Sequence, residues 1–170
     1  MKIQAADLLF VSNKHGDIDE AIAQSTGQYV HVGIAVNQNQ VIHATAKYGV
    51  IIQDMTQFMA EQMHVDVYRP LVKDVSGVVE RAKKFESQPY NFSFYPDGLG
   101  FYCSQLVAVA FKNIISFNEQ PMKFGDNEHE VSDFWVNYYL KLGVDVPLNQ
   151  PGTNPSDLAA AEEIEYIGTL

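Results

Sequence analysis

The chain predicts an α+β fold in which a small antiparallel sheet, or a partial barrel, packs against a cysteine-bearing helix. Three observations carry that expectation. Runs rich in β-branched residues, Tyr29 to Val36, Gln40 to Ala44 and Val50 to Gln53, are separated only by short turns, as in an antiparallel meander. An apolar stretch opens at Cys103 directly after the glycine-punctuated turn Gly98-Leu99-Gly100, which reads as a helix start. The 170 residues, 46% of them hydrophobic, suffice for one domain with a sizeable core, expected to span residues 1–170.

The elements follow in order. Asp7-Leu8-Leu9-Phe10-Val11 is a short strand stopped by the polar run Ser12 to Gly16. Asp17 to Gln24, with acids at its start and apolar residues at 18, 21 and 22, is a helix closed by Thr26-Gly27. The three meander strands come next, with turns at Asn37 to Gln40 and at Lys47-Tyr48-Gly49. Met55 to Glu61 is a short helix, and His64 to Pro70 a fourth strand ended by proline. Val75 to Glu86 has helical apolar spacing, and Gln88 to Gly100 is an aromatic loop. The Cys103 helix runs to about Asn113, on the spacing of its apolar residues. An acidic loop spans Gly125 to Glu130, a helix starts near Val131, and Pro147 to Asn154 is a connection. Pro155-Ser156-Asp157-Leu158 opens a short last helix, and Glu165-Tyr166-Ile167 is a closing edge strand.

Charge and cysteine count narrow the function classes. Eleven basic against twenty-one acidic side chains give a formal charge of −10, which disfavours nucleic acid and anionic membranes as partners. The same acidity suits a cationic or zwitterionic substrate. One cysteine excludes an intramolecular disulfide framework and a cysteine-rich zinc site. No run approaches a membrane span, and the start of the chain meets acid and turn residues too early for a signal-peptide core, so the expected location is cytoplasmic.

Cys103 is the residue best placed for chemistry. A helix N-terminus stabilises a thiolate and lowers the pKa of a thiol, and its free N–H groups can receive an oxyanion. The same position also suits a small hydrophobe in a core. A thiol hydrolase needs a base for the sulfur and a polar group to orient that base. His31 and His43 lie on neighbouring meander strands, His31 on one face with Gly33 and Ala35, His43 with Val41. Directly paired, they would sit side by side, a spacing suited to one imidazole orienting the other. His15 and His129 fall in loops and His64 at a strand start, where solvent or structure accounts for them. No spacing matches a zinc pattern, and the Gly98-Leu99-Gly100 run lacks the third glycine and preceding strand of a dinucleotide site, so neither metal nor cofactor is expected.

His31-Val32-Gly33-Ile34, Ile42-His43-Ala44 and Tyr102-Cys103-Ser104-Gln105-Leu106-Val107, in that order, resemble the permuted papain-like amidases of the YiiX/YaeF group. These are circularly permuted relatives of the NlpC-type cell-wall peptidases and, more distantly, of the lecithin retinol acyltransferase group. Asp7-Leu8-Leu9-Phe10 and Pro155-Ser156-Asp157-Leu158 resemble the group's opening strand and C-terminal motif, so the likeness spans Asp7 to about Gly168. The resemblance implies a papain-like fold with Cys103 as nucleophile, His31 as general base and acid, and His43 as the third polar residue. Glutamate is frequent at that last position in the group, and histidine in its NlpC-type relatives.

The leading reading is therefore a cysteine amidase or peptidase with a Cys-His-His triad, acting through an acyl-enzyme on an amide of a small amino-acid- or peptide-containing substrate, such as a cell-wall fragment. The backbone N–H of Cys103, with Tyr29 or Tyr102, would hold the oxyanion, and the loop from Tyr90 to Tyr95 would wall the cleft. Acyl transfer to a lipid or amine, and a silent binding module of the same fold, are the alternatives. No residue pattern specifies an oligomeric state.

Overall fold

The first strand of the chain becomes an inner strand of the sheet, because Leu8, Leu9, Phe10 and Val11 are apolar on both faces and need cover on both. A computed structural model describes the chain from Met1 to Leu170. β1 (Leu8–Val11) is flanked by β2 (His31–Asn37) and β5 (Val65–Pro70). β3 (Gln40–Thr45) and β4 (Gly49–Asp54) extend one side, and β8 (Ile164–Thr169) closes the other as an edge. The six strands run in the order β4-β3-β2-β1-β5-β8, every pair antiparallel.

Alternation along these strands builds two cores. Leu8, Phe10, Val32, Ile34, Ile42 and Ala44 face one side, where α3 (Val78–Lys83) and α4 (Cys103–Ala110) cover them. Leu9, Val11, Ala35, Val41 and Val67 face the other, under α2 (Met55–Glu61), whose Phe58 is fully buried. Asp54 caps α2 by accepting from Thr56 N–H at 2.8 Å. A third, aromatic cluster joins α1 (Asp17–Thr26) to α5 (Asp133–Leu142) through Trp135, Phe94, Tyr102 and Phe124. α6 (Pro155–Ala159) starts with proline in its first turn behind an Asn154 cap that accepts from Asp157 N–H. No helix is long and apolar enough to cross a membrane.

Three expectations about elements change. The helix expected from Cys103 to about Asn113 ends at Ala110, and residues 111–114 form turns. The helix expected over Val75 to Glu86 contracts to Val78–Lys83. Asp74 Oδ1 accepts from Ser76 N–H, and Gly77 takes a left-handed φ of 82°, so the preceding residues form a turn instead. The connection after Pro147 contains β7 (Pro151–Gly152), which pairs with β6 (Gln120–Pro121), a ribbon too short to leave a periodic signal.

Candidate active site

A one-residue irregularity in the β2–β3 hairpin decides which way its two histidines face. Near the turn, Asn37 pairs with Gln40; continued in that register, His43 would oppose Ile34, on the face away from His31. The register shifts between Ala35 and Asn37, so that Ile34 pairs with Ile42. His31 and His43 then share a face as diagonal neighbours, not as the directly opposed pair the strand pattern suggested. Their rings bridge the diagonal: His31 Nε2 and His43 Nδ1 are hydrogen-bonded at 2.8 Å.

Gly33 makes room for this. It lies between the two histidines on the same face, and a Cβ there would stand 2.7 Å from Val41 Cγ2 and 3.3 Å from His43 Cβ. Phe58 packs edge-on against His43, with ring centroids 5.3 Å apart, and fixes the imidazole from the helix side. We expect Gly33→Ala to push His43 off its hydrogen bond and to destabilise the fold by about 1–3 kcal/mol, read from the urea midpoint. Adding Val41→Ala should recover most of that stability, because the tighter contact is with Val41. A Gly33→Ala protein as stable as the parent would show that this close approach does not constrain the site.

Cys103 comes to the pair from the other face of the sheet. It is the first residue of α4 and is 6% exposed. Tyr102, extended, precedes it, and Tyr102 N–H donates to Gln105 Oε1 at 3.2 Å, which fixes the entry into the helix. The backbone amides of Val32 and Ser104 lie near enough to the sulfur to pull the thiol's pKa down. The Val32 amide is left over from the sheet because the paired part of β2 and β3 ends at Ile34 and Ile42. Ala35 N–H points at β1, bonding Asp7 O, so by alternation Val32 N–H points towards β3, where no ladder partner takes it. The nucleophile candidate thus lies near the residue directly after His31. No hydrogen bond joins Sγ to His31 itself, and Nδ1 of His31 has no partner within the protein. Such catalytic contacts commonly tighten only when substrate binds.

Burial, not the helix end, sets the charge states. The Cys103 thiol is pushed up to about 11 by burial, against the downward pull of the Val32 and Ser104 amides. This reverses the depressed pKa expected from the helix N-terminus alone. His31 is held down to about 3, by burial and then by the neighbouring His43 ring, and His43 to about 4 by burial. Thiol and imidazoles are therefore neutral at pH 7. The sign for stability follows: below pH 6.5 the unfolded chain binds protons that the folded one refuses. Stability is complete above that pH and falls as pH drops towards 4, by up to about 1.4 kcal/mol per pH unit per histidine. We expect the urea midpoint to fall between pH 7.5 and 4.5, and to fall less when His31→Asn and His43→Asn are combined. An equal fall in the two proteins would mean that these rings do not resist protonation.

Two adjoining cavities meet here. A cleft of about 420 Å³ is lined by His31, His43, Gln53 and the charged side chains of Asp19, Lys47 and Glu61. A narrow cavity of about 50 Å³ is lined by Cys103, Tyr102, Phe94 and Trp135. Ile22, Val30 and Tyr90 belong to both. The aromatic loop thus contributes Tyr90 and Phe94 as walls.

The other tyrosines named from the sequence divide. Tyr102 lines the cysteine's cavity, its hydroxyl accepting from Thr153 N–H at 3.3 Å. Tyr29 does not: its hydroxyl donates to Asp66 Oδ2 at 2.7 Å, across β1 towards β5. Tyr95 is also elsewhere, donating to Asp145 O at 3.0 Å. Both are corrections to the oxyanion and substrate roles expected of them, since hydroxyls so committed lie outside the cavity walls. Gly33, Gln53 and the Val32 amide were not singled out from the sequence; of these, only Gly33, between two same-face histidines, left a signal that could have been followed. No three His, Cys, Asp or Glu side chains converge in a group suited to a metal ion, and His31 and His43 each commit a nitrogen to the other.

Residues 2–168 match the family described as permuted papain-like amidase enzyme, YaeF/YiiX, C92 family. The chain belongs to this family. Among solved structures, the chain is similar to the crystal structure of YiiX from Escherichia coli O157:H7, described as a metalloprotein. It is 24% identical, with a TM-score of 0.79, and the alignment covers 99% of this chain and 98% of that one. A search of curated proteins found no match. The antiparallel sheet backed by the Cys103 helix is accordingly the permuted papain-like fold.

Proposed function

We propose that the protein is a cysteine hydrolase that cleaves an amide bond in a small amino-acid- or peptide-containing substrate through an acyl-enzyme on Cys103. The observation that carries this reading is the 2.8 Å bond between His31 Nε2 and His43 Nδ1, on the residue just before the Val32 amide that lies near the Cys103 sulfur. His31 Nδ1 takes the thiol proton as Sγ attacks the carbonyl carbon, and the oxyanion is held by the Cys103 N–H at the helix start. The C–N bond breaks as His31 returns the proton to the leaving nitrogen. Water then attacks the thioester, His31 taking its proton and returning it to sulfur as the carboxylic acid leaves. His43 orients His31 and spreads the charge that His31 acquires.

The cleft beside the histidines is of small-molecule size. Asp19 and Glu61 on one hand and Lys47 on the other suit the ammonium and carboxylate of an amino acid or short peptide. The test is incubation with a library of amides and activated esters, cell-wall-type peptides included, followed by mass spectrometry of the intact protein. An acyl adduct that maps to Cys103, turns over, and is lost in Cys103→Ala is the expected result. An adduct that decays only when an amine or alcohol is added would move the reading to acyl transfer. No adduct with any member, or one that survives Cys103→Ala, overturns it.

A further inference from the structure

A second pair of buried polar atoms lies behind the histidines. His43 Nε2, on the side of the ring away from His31, has no hydrogen-bond partner, and neither has Gln53 Oε1. Both residues are buried, at 3% and 8% exposure. β4 pairs with β3 so that Ile51 opposes His43 and Gln53 opposes Val41, which makes Gln53 the diagonal same-face neighbour of His43. Both side chains line the cleft that holds His31. The Gln53 side chain favours the protonated ring of His43, the effect expected of an acceptor near the imidazole. Two buried, unpaired atoms of complementary type, one able to donate and one only to accept, are each costly alone and inexpensive together.

The chemistry needs this contact in one direction. A base for the thiol must have a bare Nδ1 on His31, so its proton sits on Nε2. Nε2–H must then donate to His43 Nδ1, which leaves the His43 proton on Nε2. That N–H requires an acceptor, and Gln53 Oε1 is the buried acceptor beside it. We propose that Gln53 is a positioning residue of this site: Oε1 accepts from His43 Nε2–H and so fixes the tautomer of both imidazoles, leaving His31 Nδ1 bare. This rests on the hydrolase reading for its purpose, but not for its geometry.

The experiment separates the two. In protein labelled with ¹⁵N-histidine, long-range ¹H–¹⁵N spectra report which ring nitrogen carries the proton. The expected result is a protonated Nε2 and a bare Nδ1 on His43 in the parent and in Gln53→Glu, whose carboxylate still accepts, and a shift towards Nδ1–H in Gln53→Leu. Alkylation of Cys103 by iodoacetamide at pH 7.5 should slow about tenfold or more in Gln53→Leu and recover in Gln53→Glu, the scale on which outer partners tune a ligated histidine. His43 protonated on Nδ1 in the parent overturns the proposal without any variant having to fold. So does a Gln53→Leu protein with unchanged tautomer, or with a changed tautomer and an unchanged alkylation rate. A parent with the expected tautomer and a cysteine that no library member acylates would instead sink the hydrolase reading and leave the Gln53 bond standing.

Discussion

His31→Ala is expected to lower turnover of any substrate that acylates Cys103 by about 10³–10⁴-fold, while the protein stays folded. The size follows from the neutral resting state. With the thiol pushed up to about 11, almost no thiolate exists at pH 7 before substrate binds, so the sulfur depends on a base during attack. His31 is that base in the proposed mechanism, and its low pKa keeps it bare throughout the neutral range. His43→Ala should cost less, because His43 acts through His31. Combining the two should cost no more than His31→Ala alone, since a residue that works by orienting another has nothing left to orient. Steady-state kinetics on the four proteins measure this directly. Additive losses would mean that His43 meets substrate or sulfur independently, and a His31→Ala protein with parental turnover would remove the imidazole from the chemistry.

Why the sequence showed the residues but not their arrangement is visible in the same hairpin. Strand alternation identifies the faces of His31 and His43 within each strand, and turn residues locate the hairpin between them. The relative face of the two strands, however, depends on a single irregularity between Ala35 and Asn37, which no composition rule marks. Elements stabilised by local chemistry were legible: Met55–Glu61 has the bounds expected of it, behind its Asp54 cap, and Ile164–Thr169 is the edge strand at the end of the chain. What depends on distant chain was not. Tyr29 finds Asp66 and Tyr95 finds the Asp145 carbonyl across long stretches of sequence, and those partners, not the tyrosines, decide where the hydroxyls go. The pKa of Cys103 is the same lesson in energy. The helix start is local and visible, whereas the burial that outweighs it involves residues of other elements, such as Phe94 and Trp135, that line the same cavity.

Arg69→Met is expected to destabilise the fold by about 3–5 kcal/mol, the largest stability loss foreseen for any single charged residue here. Asp7 stands just before β1 and is 1% exposed, an ion that must be matched to be tolerated. Arg69 on β5 matches it bidentately, Nε donating to Oδ1 at 2.8 Å and Nη2 to Oδ2 at 2.7 Å, while Gln4 N–H donates to Oδ2 at 2.8 Å. The Asp7 carbonyl also accepts from Ala35 N–H, so one residue ties β5, β1 and β2 together at the end of the sheet remote from His31. With Met at 69 the carboxylate keeps its burial and loses both guanidinium bonds, which is the costly case. Replacing both partners, Asp7→Leu with Arg69→Met, removes the ion as well as its match and should recover most of the loss. Urea unfolding of the single and double variants at pH 7.5 measures the difference. A single variant within about 1 kcal/mol of the parent would place this pair with ordinary surface salt bridges. A double variant no better than the single would mean that the pair, and not the avoidance of a stranded charge, holds the three strands in register.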